Sequence, residues 1–133
     1  MRDIGSDRLT AHPRVALCLA RPVAAIAYPD LAAWLDNLAG ALGERLLRIK
    51  GLVRVAEVEH PLLIESVGTL FSPPRPMKVD DLPSSFLVII GRDVNHAELA
   101  PISPSGLFRF SAWQQADPFS RNDRREMKAE WVG

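Results

Sequence analysis

The clearest feature of the sequence is a set of apolar residues that recur every three or four positions between Pro29 and Leu42. Such spacing places apolar side chains along one side of an α-helix, where they can face a core. Proline suits the first turn of a helix because its missing N–H is not needed there, and Gly43 suits the position after the last turn. The pattern therefore predicts a helix over residues 29–42, with an apolar stripe made of Leu31, Trp34, Leu35, Leu38 and Leu42.

Four further segments have the patterns of β-strands. Residues 15–20 and 86–90 are continuously apolar, which favours strands that are buried on both faces. Residues 45–56 alternate between apolar and polar positions, which is typical of a strand with one buried face, and residues 62–71 are predicted to form a further strand. We therefore predict an α+β fold with a four-stranded mixed or antiparallel sheet and helices packed mainly on one face, similar to a split β-α-β arrangement.

The strands predicted over residues 45–56 and 62–71 are expected to form a hairpin around a polar turn at residues 57–60. This loop length places Val53 opposite Ile64 and Leu47 opposite Leu70. Because these cross-strand pairs are apolar, the pattern favours this register over its alternatives.

The other face of residues 45–56 carries a row of basic side chains, Arg48, Lys50 and Arg54. The predicted register puts Glu65 diagonal to both Lys50 and Arg54. Two interpretations stay open for this row: a solvated sheet face, which is the common case, or a docking face for an acidic partner. Gly51 within the row indicates either a β-bulge or the close approach of another backbone.

The remaining segments define the expected organisation. Residues 1–14 are polar and are interpreted as a linker or disordered N-terminus, residues 15–102 as one domain, and residues 103–133 as a C-terminal extension, with partial order left open by the sequence. Within the domain, the proline-rich residues 72–85 are predicted to be a surface loop. Asn95 is predicted to cap a short second helix.

Composition and charge exclude some classes of function. The chain has 16 basic and 16 acidic residues, and a net charge of zero argues against a nucleic-acid binder. No apolar stretch is long enough to cross a bilayer, and no signal peptide is visible. A single cysteine, Cys18, fits a reducing compartment. We therefore expect a cytoplasmic protein that binds neither nucleic acid nor membrane.

The sequence offers no convincing set of catalytic residues. It lacks the Gly-x-x-x-x-Gly-Lys-Ser/Thr phosphate loop, and Ser66 has no nucleophile motif around it. Cys18 lies in an apolar run, where an inert core thiol is the usual case. Glu57, Glu59 and His60 offer metal ligands at one turn, but a closed zinc site needs about four ligands, so a solvated turn is favoured.

Several segments, taken in order, resemble the C-terminal domain of CobW-type metallochaperone GTPases. Arg21-Pro22 precedes the helix, and residues 47–51, Leu-Arg-Ile-Lys-Gly, resemble the family's Arg-x-Lys-Gly signature. Residues 65–71 resemble its Gln-x-Val-x-x-x-Phe strand, and residues 86–93 resemble its Leu-Val-Phe-Ile-Gly-Arg-Asp strand and exit. The resemblance covers roughly residues 13 to 102 and implies the same layered fold.

This resemblance also implies a function. CobW-type proteins act in metal insertion, zinc homeostasis and cobalamin synthesis, and their GTPase half, which would hold GTP and zinc or cobalt, is not in this chain. The chain is therefore expected to be a non-enzymatic accessory domain without a cofactor of its own. Its partners would be a GTPase domain, in cis or in trans, and a client metalloprotein. The expected partner-binding residues are Arg48, Lys50, Arg54 and Arg92.

Two other functions stay open on the sequence. The chain could be a structural domain that forms homo-oligomers, because no net charge opposes self-association. It could also be a small ligand-binding protein or enzyme of unknown chemistry. The C-terminal aromatic residues either fold back over the sheet or contact another chain; they are Phe108, Phe110, Trp113, Phe119 and Trp131.

Overall fold

The computed structural model describes residues 14–79 and 85–112. The strands in these parts are β1 (Val15–Pro22), β2 (Leu46–Val53), β3 (Leu62–Val67), β4 (Leu70–Phe71), β5 (Arg75–Pro76), β6 (Phe86–Arg92) and β7 (Phe108–Ala112). The helices are α1 (Tyr28–Leu42) and α2 (His96–Leu99), and a single 3-10 turn, Gly43–Arg45, joins α1 to β2. Neither of these helices is long and apolar enough to cross a membrane. The α+β class predicted from the sequence is confirmed.

The described strands form one sheet with the order β4–β3–β2–β6–β1–β7, and β5 pairs with β3. All pairings between these strands are antiparallel. Because β6 lies between β1 and β2, the β1–α1–β2 unit is a split β-α-β unit. The predicted number of four strands is wrong, since the sheet has seven. Strands β4 and β5, the latter inside the expected loop 72–85, have two residues each, too few for an alternating pattern.

Helix α1 shares a hydrophobic core with residues of the sheet. The five stripe residues predicted for α1 are all buried, and Trp34 is only 1% exposed. Burial of a leucine side chain contributes about 1.5–3 kcal/mol, so the stripe stabilises the packing of α1 in this core. The sheet residues in the same cluster include Cys18, Ala20, Ile49, Val53, Ile64, Leu87 and Ile89.

Two aromatic residues of β7 complete this core. The ring centroid of Trp34 lies 4.7 Å from that of Phe108 and 5.9 Å from that of Phe110. These two rings therefore fold back within the chain, as one of the two expected alternatives has it, but they pack beside α1 and not over the open face of the sheet. The other aromatic residues of the expected cluster, Trp113, Phe119 and Trp131, lie outside the described residues.

The side of the sheet opposite this core, which we call the second face, carries a smaller apolar cluster. Leu19, Phe86 and Val88 are between 2% and 7% exposed, and Leu17 and Ile90 pack against them. Strands β1 and β6 are therefore buried on both faces, as their continuous apolar runs predict.

The β2–β3 hairpin has a different register from the predicted one. Val53 lies opposite Leu62, not opposite Ile64. Strand β2 ends at Val53, and Val55 leaves the hairpin to form an isolated parallel bridge with Ile26. The loop is therefore longer than expected. A shift of two residues leaves each side chain on its predicted face, so the apolar pattern could not detect the error.

The strand predicted over residues 62–71 is a hairpin of two strands, β3 and β4. Gly68 has a φ angle of +58°, and the chain reverses there so that Val67 lies opposite Leu70. Glycine adopts this left-handed conformation without the steric cost that a Cβ atom brings. The predicted pairing of Leu70 with Leu47 is therefore wrong.

The capping of α2 follows the sequence prediction. The Asn95 side chain accepts a hydrogen bond from the Ala97 N–H at 2.8 Å, and the Glu98 carboxylate accepts one from the Asn95 N–H at 3.0 Å. This reciprocal pair is a capping box, and it satisfies backbone donors that the first helical turn leaves without partners.

Candidate functional site

The four basic residues expected to bind a partner do not form one patch. Arg48, Lys50 and Arg92 lie on the second face and Arg54 follows the end of β2, at different positions along the strand direction. The cross-strand register places Arg48 and Arg92 near one end of the face, Lys50 near its middle, and Arg54 beyond the opposite end of β2.

Lys50 is largely enclosed within the sheet. Glu65 lies directly opposite it, the Lys50 Nζ atom is 3.4 Å from the Glu65 carboxylate, and only 13% of the lysine side chain is exposed. The expected charge balance between these two residues is confirmed, although Glu65 is opposite and not diagonal. An ammonium group held in this way has little surface to offer to a partner.

Arg54 organises the loop that follows β2. Its backbone N–H donates a hydrogen bond to the Ser85 hydroxyl at 3.0 Å, and its guanidinium donates to the Glu59 carbonyl at 3.4 Å. The predicted diagonal contact with Glu65 is wrong because Arg54 lies outside the paired part of β2.

Arg48 and Arg92 are both exposed. Arg48 lies between Val67 on β3 and Ile90 on β6, and its side chain makes no hydrogen bond or ion pair with the described residues. Arg92 follows two positions after Ile90 on the same face, and it donates a hydrogen bond to the carbonyl of Glu44 at 3.2 Å. Arg54 is exposed as well, so three members of the basic row are accessible, but only Arg48 and Arg92 lie at the same end of the second face.

A groove of about 470 Å³ lies beside Arg48, at the β3–β4 hairpin. Its walls include Val67, Leu70 and Phe71 as well as Ser66. The Ser66 hydroxyl accepts a hydrogen bond from the Ile49 N–H at 3.0 Å, so this buried serine serves the backbone between β2 and β3. The sequence pattern did not reveal this groove because it depends on the unexpected turn at Gly68.

Gly51 of the Arg-x-Lys-Gly segment is required by packing against β6. A Cβ atom at this position would overlap the carbonyl oxygen of Phe86 and lie 2.8 Å from the Leu87 Cα atom. Of the two explanations left open by the sequence, close backbone approach is therefore correct at this glycine. The irregular pairing of β2 with β6 lies elsewhere, between Leu46 and Arg48.

An ion pair that the sequence analysis missed connects the start of β2 with α2. Arg45 donates a hydrogen bond to Glu98 at 2.8 Å, and also to the carbonyl of Asp93 at 3.1 Å. The hydrogen bond from Arg45 is the main reason that the pKa of Glu98 lies below its ordinary value. Both side chains are more than one third exposed, so the pair contributes little to stability. Their separation of 53 residues left no local signal in the sequence.

The acidic turn after β2 serves the helix. The Glu57 carboxylate accepts a hydrogen bond from the Tyr28 N–H at 2.8 Å, at the first residue of α1. A carboxylate at this end of a helix also interacts favourably with the helix dipole.

In residues 14–79 and 85–112, no three His, Cys, Asp or Glu side chains are grouped to hold a metal ion. These parts of the chain therefore do not fit a zinc or cobalt site.

Cys18 behaves as a core residue, as expected. Its side chain is 2% exposed, and burial followed by the charge of Glu98 raises the pKa of its thiol. A thiol with a raised pKa is protonated at neutral pH and is a poor nucleophile. A second groove of about 450 Å³ lies along the start of β1 and includes Cys18, Asp93 and His96, but it provides no activated nucleophile.

The fold and the inventory of side chains define the class of protein. A split β-α-β unit is widened by further antiparallel strands, and one end of its second face carries the exposed Arg48 and Arg92. The chain matches the family model for the cobalamin synthesis protein cobW C-terminal domain over residues 15–101. This match covers well over half of the sequence, and the chain belongs to this family.

Two solved structures of a GTPase have a similar fold. A zinc-bound YjiA GTPase from E. coli aligns with a TM-score of 0.56 and 19% identity over 74% of this chain. A zinc-bound triple mutant of YjiA GTPase aligns with a TM-score of 0.55 and 24% identity over 64% of this chain. The alignments cover only 31% and 27% of those proteins, so this chain spans less than a third of either. Comparison with curated proteins finds no match.

Proposed function

We propose that this chain is a non-catalytic, partner-binding domain of a CobW-type GTP-dependent metallochaperone, active in metal homeostasis or cobalamin synthesis in the cytoplasm. The observation that carries the proposal is the family match over residues 15–101, which concerns only the C-terminal domain of the family. Proteins with a similar fold are zinc-bound GTPases more than three times as long as the matched region. The part of such a protein outside the match is where we place GTP and zinc or cobalt.

The distribution of charge supports a role in binding. Arg48 and Arg92 are exposed on one end of the second face, whereas Lys50 is enclosed and Arg54 organises a loop. An exposed arginine whose guanidinium is paired with no carboxylate of the described residues can form a two-pronged contact with a carboxylate of a partner. We therefore assign the contact with a partner mainly to Arg48 and Arg92. The partner is the GTPase domain, in cis or in trans, and through it a client metalloprotein.

The proposal is tested with two titrations that use calorimetry. In the first, GTP and Zn²⁺ are added separately to the chain, and we expect no saturable heat with either ligand at micromolar concentrations. In the second, the chain is titrated with the separately produced GTPase domain of the source cell's CobW-type protein, and we expect saturable 1:1 binding. Micromolar GTP binding by the chain alone would contradict the proposal, as would the absence of any association with the GTPase domain.

A further inference from the structure

A band of exposed residues crosses one end of the second face. Cross-strand pairing places Leu70 beside Val67 and Val67 beside Arg48, and it places Arg92 beside Val15. Ile90 lies opposite Arg48 on the neighbouring strand and connects the two groups. We call Val15, Arg48, Val67, Leu70 and Arg92 the end band.

The apolar members of the end band are unusually exposed. Leu70 is 79% exposed, Val67 is 75% exposed and Val15 is 59% exposed, and these are three of the five large hydrophobic residues found exposed in the described residues. Single exposed apolar residues need no explanation, but a cluster of them on one surface indicates a contact site. Arginine among apolar side chains is also the composition that is enriched at the centres of protein interfaces.

The charge of the end band indicates the chemistry of its partner. The band contains two arginines and no acidic residue. Of the carboxylates next to it, Glu65 on β3 is paired with Lys50, and Asp93 after β6 accepts a hydrogen bond from the Arg14 N–H. A symmetric contact between two copies of this chain through the end band would gather four arginines in one interface with no carboxylate from the band to balance them, which is unfavourable. A partner with apolar side chains and at least one carboxylate complements the band in both respects.

The edge of the sheet next to the end band does not favour a partner that adds a β-strand. After β4 the chain continues through Pro73 and Pro74, and β5 includes Pro76. Proline has no N–H to donate, so this edge offers few main-chain hydrogen bonds. Contact with the band must therefore come mainly from side chains, above all from Leu70, Val67 and Arg48.

The size of the end band indicates a partner that is tethered or otherwise concentrated. A stable interface between free proteins uses about 20–30 residues on each side, several times more than the band provides. A short linker supplies an effective concentration of about 1 mM, so a contact with a dissociation constant of about 0.1–1 mM would be occupied for about half to nine tenths of the time. The rest of a CobW-type GTPase chain meets this condition.

We infer that the end band is the surface on which this domain docks against a CobW-type GTPase domain, with Arg48 bonded to a carboxylate of that domain. The inference rests on the proposed function and makes it specific. Val67 and Leu70 are covered in the docked state, and Arg92 lies at the other side of the band, beside Val15, where it donates a hydrogen bond to the Glu44 carbonyl.

The test is a titration of the ¹⁵N-labelled chain with the separately produced GTPase domain of the source cell's CobW-type protein, followed by NMR. We expect shifts centred on the amides of Arg48, Val67 and Leu70. Arg48→Glu should weaken binding at least about tenfold, because it places like charges opposite each other. The double variant Val67→Ser, Leu70→Ser should weaken it by a similar factor. Both changes lie at exposed positions, so the variants should keep the dispersed spectrum of a folded domain.

Two matched variants serve as controls. Arg109→Glu makes the same charge reversal at an exposed arginine of β7, the strand at the other edge of the sheet. Val23→Ser makes the same polar change at a valine that is 53% exposed and lies outside the band. Both should bind like the unmodified chain.

The outcomes separate this inference from the proposed function. Binding that the band variants do not weaken, or that Arg109→Glu weakens equally, would overturn the inference and leave the proposed function standing. No binding of the unmodified chain at millimolar concentrations would overturn both. A dimer of this chain that the serine variants dissociate would assign the end band to self-association and would overturn the inference.

Discussion

Replacement of Gly51 by alanine should destabilise this domain more than almost any other change of one methyl group. The added Cβ atom would overlap the Phe86 carbonyl oxygen and lie 2.8 Å from the Leu87 Cα atom. Both obstacles are backbone atoms of the central strand β6, which cannot move aside as a flexible side chain would. Overpacking in cores costs typically about 1–3 kcal/mol, and we expect at least about 3 kcal/mol here.

This loss is large enough to measure with confidence. For a domain of this size, 1 kcal/mol changes the melting temperature by about 4–8 °C, so Gly51→Ala should lower it by more than about 10 °C. Circular dichroism during heating, together with urea unfolding, measures the effect. Gly40→Ala in α1 is the control, since no atom lies within 4 Å of its added Cβ. It should stabilise the helix by about 0.5–1 kcal/mol. Equal stabilities of Gly51→Ala and the unmodified chain would refute the close β2–β6 packing.

Three further predictions concern the core, the missed ion pair and the enclosed lysine. Trp34→Ala should reduce the free energy of unfolding by about 3–5 kcal/mol, measured with urea, because the buried indole joins α1 to Phe108 and Phe110 of β7. A loss below about 1 kcal/mol would place Trp34 outside the core. The depressed pKa of Glu98 means that its ion pair with Arg45 stabilises the fold above the ordinary carboxylate pKa, and that this contribution disappears as the pH falls through the depressed value. Glu98→Gln should therefore lose no more than about 1 kcal/mol at neutral pH and nothing at low pH, as shown by unfolding at several pH values; a pH-independent difference would contradict this sign. Lys50→Met should leave binding of the GTPase domain within about twofold in calorimetry, because only 13% of the side chain is exposed; a loss as large as that of Arg48→Glu would return Lys50 to the binding surface.

Local patterns predicted the parts of the fold that depend on periodicity. The apolar stripe of α1 and the continuous runs of β1 and β6 placed the core correctly, because burial on one or two faces determines those patterns directly. The Asn95 cap was also predictable, since a capping box involves residues only three positions apart. These features need no knowledge of distant contacts.

Features that depend on distant contacts were not predictable in the same way. The observed β2–β3 register differs from the predicted one by two residues. Both registers place every side chain on the same face of the sheet, so the apolar pattern could not distinguish between them. The turn at Gly68 was hidden because the residues on both sides of it, Val67 and Leu70, are apolar but exposed. That exposure is unexpected for a strand in a core and is itself the feature that defines the end band.

In the candidate site, too, local patterns predicted some features and distant contacts determined the others. Sequence alternation correctly placed Arg48 and Lys50 on one face, but it could not show that Glu65 encloses Lys50 while Arg48 stays without a partner in the described residues. That difference depends on the register and on the length of β2, which ends before Arg54. The pairing of Arg45 with Glu98 required the fold, because the two residues are far apart in sequence.

The most direct test of the account is the dissociation constant between this chain and the separately produced GTPase domain of the source cell's CobW-type protein. Measured by NMR titration, it should be about 0.1–1 mM for the unmodified chain and at least about tenfold higher for Arg48→Glu. Absence of any chemical shift change at millimolar GTPase domain would contradict the assignment of this chain as a partner-binding domain.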